Sequence, residues 1–235
     1  MSAGAERYGD LVTRAGLAHS HRLVFEAVPE GARVLDVGCA TGYLAAALAQ
    51  RGARVTGVEA DPGAAARARE RGVEVTEGDV EDPAVLAALP RELDVVVLAD
   101  VLEHLRDPAA VLSATRALLA PEGVAVVSLP NVAHWTARRE LLRGRYPRAD
   151  HGIFDRSHLR FFTRATAHDL AAQAGFAVAR ERFATSSLPL EPSLRRRLGG
   201  TEQDPPAPLA AARARLTAWR PELFALQFVL TLRAR

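Results

Sequence analysis

The residues in this chain whose types and spacing could do chemistry fall into two groups. The first surrounds a pair of glycines. Val34-Leu35-Asp36-Val37 is near-continuously apolar, Gly38 and Gly42 follow at once, and Leu44 to Ala49 reads as helix. A strand that passes through a glycine turn into a helix N-terminus lets backbone approach a ligand closely. The G-x-x-x-G spacing leaves Ala40 and Tyr43 where a dinucleotide fingerprint wants glycine, which argues against a pyrophosphate lying on the turn and against a dehydrogenase. Asp36, inside the strand end, would repel an anion and welcome an amino group. The second group lies in residues 131–163, where His134, Asp150, His151, Asp155 and His158 stand among arginines and aromatics. Side chains of these types move protons or hold cations.

Elements must bring the two groups together. Residues 1–30 read as helical and mixed, an amphipathic helix with its polar residues solvated. Strands are expected at 54–59, ending in Glu59, and at 73–80, leaving through Asp79 and Val80. Further strands are expected at 93–100, ending in Asp100, and at 123–130. Asp61-Pro62 reads as a helix cap and first-turn proline. After the 131–163 insertion come a helix from Thr163 to Gly175 and a strand at 176–183. A Pro- and Gly-rich excursion with Arg195-Arg196-Arg197, a helix at 207–219 and a last strand at 223–232 complete the chain. An acid or a glycine turn thus closes four consecutive strands, and ligands bind at strand carboxyl ends in open α/β sheets.

The first stretch resembles motif I of the class I S-adenosylmethionine-dependent methyltransferases. Asp100 with Val101-Leu102-Glu103-His104 resembles motif IV and its continuation in the ubiquinone-biosynthesis-like branch. Ser128-Leu129-Pro130-Asn131-Val132-Ala133-His134-Trp135 resembles MetW-like proteins and methyltransferases found with glycan biosynthesis. The resemblance implies an α/β fold, with a Rossmann-like seven-stranded, mostly parallel sheet, helices on both faces and an antiparallel last strand. One domain would span 1–235, with cap helices at 1–30 that would turn Tyr8, His19 and Arg22 to the ligand, a substrate-side insertion at 131–163 and an excursion at 187–220. It further implies S-adenosylmethionine held by Asp36, Gly38, Ala40, Gly42, Glu59, Ala60, Asp79, Val80, Asp100, Val101 and Leu102. Glu59 would take the ribose hydroxyls, Asp79 the adenine amino group, and Val80 would offer its backbone N–H to the ring. Glu103 and His104 would start the next helix, near the substrate.

Composition bounds the rest. At 235 residues, with 49% hydrophobic and 25% charged residues, the chain can bury a sizeable core. No apolar run approaches the roughly 20 residues of a membrane span. One cysteine and no visible signal peptide fit a reducing cytoplasm. All 30 basic residues are arginine. The pI of about 9.2 at a net charge of only +2 therefore reflects groups that do not titrate, and is weak evidence for nucleic acid.

Methyl transfer from a sulfonium needs mainly positioning. A hydroxyl acceptor also wants a base. His158 and His151 are the first candidates, each with a carboxylate nearby in sequence; Asp155 and His134 follow, then Glu103 and His104. A divalent ion would suit Asp150, His151, Asp155 and His158 only if they converge, and no metal is assigned. Arg143, Arg145, Arg148, Arg156 and Arg160 would suit an anionic acceptor or form a solvated basic face. The expected activity is methylation of a small-molecule hydroxyl on a sugar, a phenol or a secondary metabolite. The alternative is a non-catalytic partner protein of the same fold, for which a blocked cavity would speak. A nucleic-acid or protein methyltransferase ranks last. The 187–220 excursion, with Trp219, could serve a homodimer or cover the sheet edge.

Overall fold

The structure, a computed structural model, describes residues 17–189, 191 and 205–235. Tyr8 and Arg195 to Arg197 lie outside the described residues. After helix α1 (His19–Ala27), strands β1 (Arg33–Val37), β2 (Arg54–Glu59), β3 (Glu74–Glu77) and β4 (Leu93–Ala99) alternate with three helices. These are α2 (Tyr43–Gln50), α3 (Pro62–Glu70) and α4 (Pro83–Ala88). Then come α5 (Pro108–Thr115), β5 (Leu119–Pro130), α6 (Trp135–Leu142), α7 (Arg164–Gln173) and β6 (Phe176–Thr185). Last are α8 (Ala207–Trp219), α9 (Pro221–Phe224) and β7 (Ala225–Ala234).

The seven strands form one sheet in the order β3-β2-β1-β4-β5-β7-β6. Pairing is parallel from β3 through β5, whereas β7 runs antiparallel to both β5 and β6. The near-continuous apolar runs follow from burial on both faces. In β4, Val96 and Leu98 join the core on the face that holds Leu112 and Leu170, while Val95 and Val97 join the core with Leu23 and Leu48.

Local chemistry sets the helix starts. Asp61, Asp82 and Asp107 each precede a first-turn proline and accept a backbone N–H of the first turn. Thr163 and Thr166 cap α7 reciprocally. One expectation needs correction. Glu103 and His104 do not begin the next helix: Leu102–His104 is a single 3-10 turn, and α5 starts only at Pro108, where Asp107 supplies the cap.

The 131–163 insertion is pinned at both ends. Asn131 and Phe162 form a bridge, and the buried Asn131 side chain donates to the carbonyls of Glu222 and Ala225. The backbone N–H groups of Leu159 and Arg160 both donate to the Glu103 carbonyl, which holds the far end of the insertion against the β4 exit.

Candidate active site

A cleft of about 860 Å³ opens along the carboxyl ends of β1, β2 and β4. This is within the range of small-molecule sites. Its floor is built by the glycine turn. Gly38 has φ +64, and a Cβ there would sit 2.8 Å from the Val101 side chain, so the backbone itself lines the cleft. Ala40 also takes a left-handed conformation, at φ 50. Gly42 and Leu102 make packing contacts. A Cβ on Gly42 would meet Ala68 of α3 at 2.8 Å, and Leu102 is fully buried in the core; neither lines the cleft.

Glu59, Ala60, Asp79, Val80, Asp100 and Val101 all line it. The Glu59 carboxylate accepts the Ala40 N–H on one oxygen and the Asp61 N–H on the other, each at 2.9 Å. That fixes its direction and leaves acceptor capacity on both oxygens. Asp36 lies beneath the floor, buried. Burial, partly offset by His21 and reinforced by Glu59, pushes its carboxyl up to about 7.

Asp100 is the centre of a buried network. Its Oδ1 accepts from Ser128 Oγ at 2.6 Å and from Gln227 Nε2 at 2.8 Å, while His21 Nε2 lies 3.2 Å from Oδ2. Burial pushes this carboxyl up, but the three partners outweigh it and hold it below the usual range. Tyr43 Oη meets His21 Nδ1 at 3.1 Å, so the chain of contacts continues to the start of α2. Neither His21 nor Gln227 stands out in the sequence, and Tyr43 does so only through the glycine spacing. The available signal for His21 was its place three residues before Val24 on the apolar stripe of α1.

Of the insertion candidates, the structure brings His158 and Asp155 to the cleft. His158 Nδ1 lies 3.2 Å from the Ile153 carbonyl and so donates, leaving the Nε2 lone pair free, 3.9 Å from Glu103 Oε1. His104 Nδ1 is similarly tied to the Ser157 carbonyl at 3.3 Å, and its ring packs edge-on to His158 with centroids 4.9 Å apart. Burial and the neighbouring His104 lower the His158 pKa. Glu103 is 1% exposed, and burial with Asp100 and Asp155 nearby pushes its carboxyl well up. The ligand atoms of Glu103, His104 and His158 lie within 4.8 Å of one another.

His134 and His151 go elsewhere. His134 is buried and caps α6: its Nδ1 faces Thr136 and its Nε2 faces Ser186, and burial lowers its pKa to about 4. It does not line the cleft. His151 lines a separate, smaller cleft with Thr136, Arg139 and Phe154. Asp150 reaches the main cleft paired with Arg156 at 3.0 Å. The four-residue metal set read from sequence is thus divided between two clefts. His19 lines the main cleft, where its Nδ1 accepts the Thr185 N–H.

The sequence profile of a methyltransferase domain family matches residues 6–181 of the chain. The chain belongs to that family. It is a class I S-adenosylmethionine-dependent methyltransferase. Against the ubiquinone biosynthesis O-methyltransferase of Stutzerimonas stutzeri the methyltransferase is 38% identical over 105 residues, 43% of this chain and 45% of that protein. It therefore spans less than half the length of the curated relatives it matches. Two solved structures share the fold. One is an S-adenosylmethionine-dependent methyltransferase from Archaeoglobus fulgidus, with TM-score 0.63, 18% identity, and 97% of this chain and 99% of that chain covered. The other is the magnesium protoporphyrin IX methyltransferase of Synechocystis PCC 6803 with bound S-adenosylhomocysteine, with TM-score 0.57, 18% identity, and 99% and 84% covered.

S-adenosylmethionine supplies an electrophilic methyl group on a sulfonium with a neutral leaving group. The site fits it: a glycine floor with no room for a Cβ, acids at successive strand ends, and no basic side chain on the turn to call for a phosphate.

Proposed function

We propose that this methyltransferase transfers the methyl group to a hydroxyl of a small-molecule acceptor such as a sugar, a phenol or a secondary metabolite. The observation that carries the reading is His158, a cleft-lining histidine whose Nδ1 is tied to the Ile153 carbonyl, which leaves Nε2 as its basic nitrogen. Glu59 would take the ribose hydroxyls, Asp79 the adenine amino group, and the Gly38–Ala40 backbone the methionine end. In the transfer the methyl carbon's bond to sulfur breaks and its bond to the acceptor oxygen forms, while the acceptor proton passes to His158 Nε2. A histidine with a lowered pKa is already in its basic form at neutral pH. The roomy cleft also supports catalysis over a purely structural partner role.

A second reading rests on the convergence of Glu103, His104 and His158. Each imidazole is oriented through Nδ1 by a carbonyl, the usual outer-shell arrangement of a metal-binding histidine. A divalent ion there would lower the acceptor hydroxyl's pKa in place of a base.

The test incubates the protein with methyl-labelled S-adenosylmethionine and a panel of sugars and phenols, and locates the label. Label in an ether supports the reading. Label in an amine, or on no member of the panel, overturns it.

A further inference from the structure

The insertion that forms one wall of the cleft carries a surface the transfer reaction does not use. Five of the six large hydrophobic side chains exposed among the described residues belong to it: Leu141, Leu142, Tyr146, Leu159 and Phe161. Leu142, at the end of α6, is 89% exposed. A turn through Gly144, closed by the Arg145 N–H on the Glu140 carbonyl, leads from it to Tyr146. The Tyr146 ring in turn packs edge-on to Phe161, with centroids 6.0 Å apart. Such a concentration is not the single scattered apolar residue of an ordinary surface.

Charge surrounds the same patch. Residues 135–162 hold seven arginines against Glu140, Asp150 and Asp155. Arg139, Arg143 and Arg145 all crowd the one Glu140 carboxylate, so the rim keeps a positive excess after pairing. Apolar tips among arginines are the composition of a face that rests on an anionic bilayer. The apolar groups enter the boundary layer while the guanidiniums meet phosphates. A nucleic acid would use the arginines and aromatics but would leave Leu141, Leu142 and Leu159 in water.

We propose that this face, from Leu141 to Phe161, binds the surface of an anionic phospholipid membrane. The same segment also lines the cleft, through Gly152, Ile153, Asp155 and His158. An amphiphilic acceptor would then be reached from the bilayer surface. The inference does not depend on the proposed hydroxyl acceptor, because it is read by binding alone.

The experiment is co-sedimentation of the full chain with phosphatidylcholine vesicles, with and without about one-third phosphatidylglycerol, at two salt concentrations. The expected result is binding to the anionic vesicles only, weakened by salt. Leu142→Ser should reduce it about tenfold, and Arg143→Ser or Arg145→Ser roughly fivefold each. All three positions are exposed and off the cleft lining, so S-adenosylhomocysteine binding, the check on folding, should stay unchanged. No sedimentation with anionic vesicles would overturn the proposal. So would equal binding to neutral vesicles, anionic binding indifferent to the three variants, or capture by an RNA homopolymer that the same variants weaken and vesicles do not displace.

Discussion

His21 Nε2 stands 3.2 Å from Asp100 Oδ2, and through this contact helix α1 is fastened to the end of β4. Both side chains are largely buried, so each partner offsets the desolvation of the other. His21→Ala would leave the Asp100 carboxylate with Ser128 and Gln227 alone. We expect a loss of about 2–3 kcal/mol in unfolding free energy by urea denaturation. Asp100→Asn in the His21→Ala background should recover part of it, whereas two additive losses would refute the coupling.

Asp36 predicts a pH dependence of opposite sign to that of a salt-bridged acid. Its carboxyl is raised from about 3.8 in the unfolded chain to about 7 in the fold. The folded state therefore binds more protons between those values, and stability falls as pH rises through that window. Asp36→Asn removes the titration. Its stability relative to the natural protein should grow by about 2–4 kcal/mol from pH 4 to pH 7. A difference that is flat with pH in parallel denaturation curves would refute this.

Glu59 performs two tasks that one substitution separates. Its oxygens accept the Ala40 and Asp61 N–H groups, so Glu59→Ala should lower stability by about 1–3 kcal/mol. Glu59→Gln keeps one acceptor and should fold better, yet still lose S-adenosylmethionine affinity by roughly 10- to 100-fold in calorimetric titration. Unchanged affinity in Glu59→Gln would remove Glu59 from the ribose site.

His158→Ala should lower kcat by about 10²- to 10⁴-fold while S-adenosylhomocysteine affinity stays within a factor of two. A chelator then separates the two roles open to this residue. With His158 acting as a base, the natural protein keeps its full rate after chelation. Loss of rate on chelation, restored by a divalent ion and not in Glu103→Gln, would transfer the role to a metal.

The sheet was legible because its determinants are local. One apolar run held Asp36 and two ended in Glu59 and Asp100, while Asp61-Pro62 and Thr163 announced their helices. The observed β2 matches the expected bounds, while β5 begins four residues earlier than its apolar run suggested. The side-chain roles were less legible because they depend on long-range convergence. His134 and His158 look alike in sequence, yet one spends both nitrogens capping and bracing α6 while the other keeps Nε2 free. His151 stands seven residues from His158 and still faces a different cleft. Gly42 sits in the motif, and its close approach to Ala68 of α3 is a long-range contact that the motif does not announce. His21 needed the docking of α1 to become visible at all.

The place of β7 has a consequence for how the molecule is made. It is the last strand in sequence, yet it lies between β5 and β6 rather than at an edge. During synthesis β6 therefore has no neighbour among the described strands until Ala225 to Ala234 have left the ribosome, and Gln227 reaches Asp100 only in that same step. A nascent chain that had folded its first five strands would hold the glycine floor and Glu59 but lack one of the hydrogen bonds that hold Asp100. Competence for chemistry would then arrive late and all at once, with the docking of a single strand.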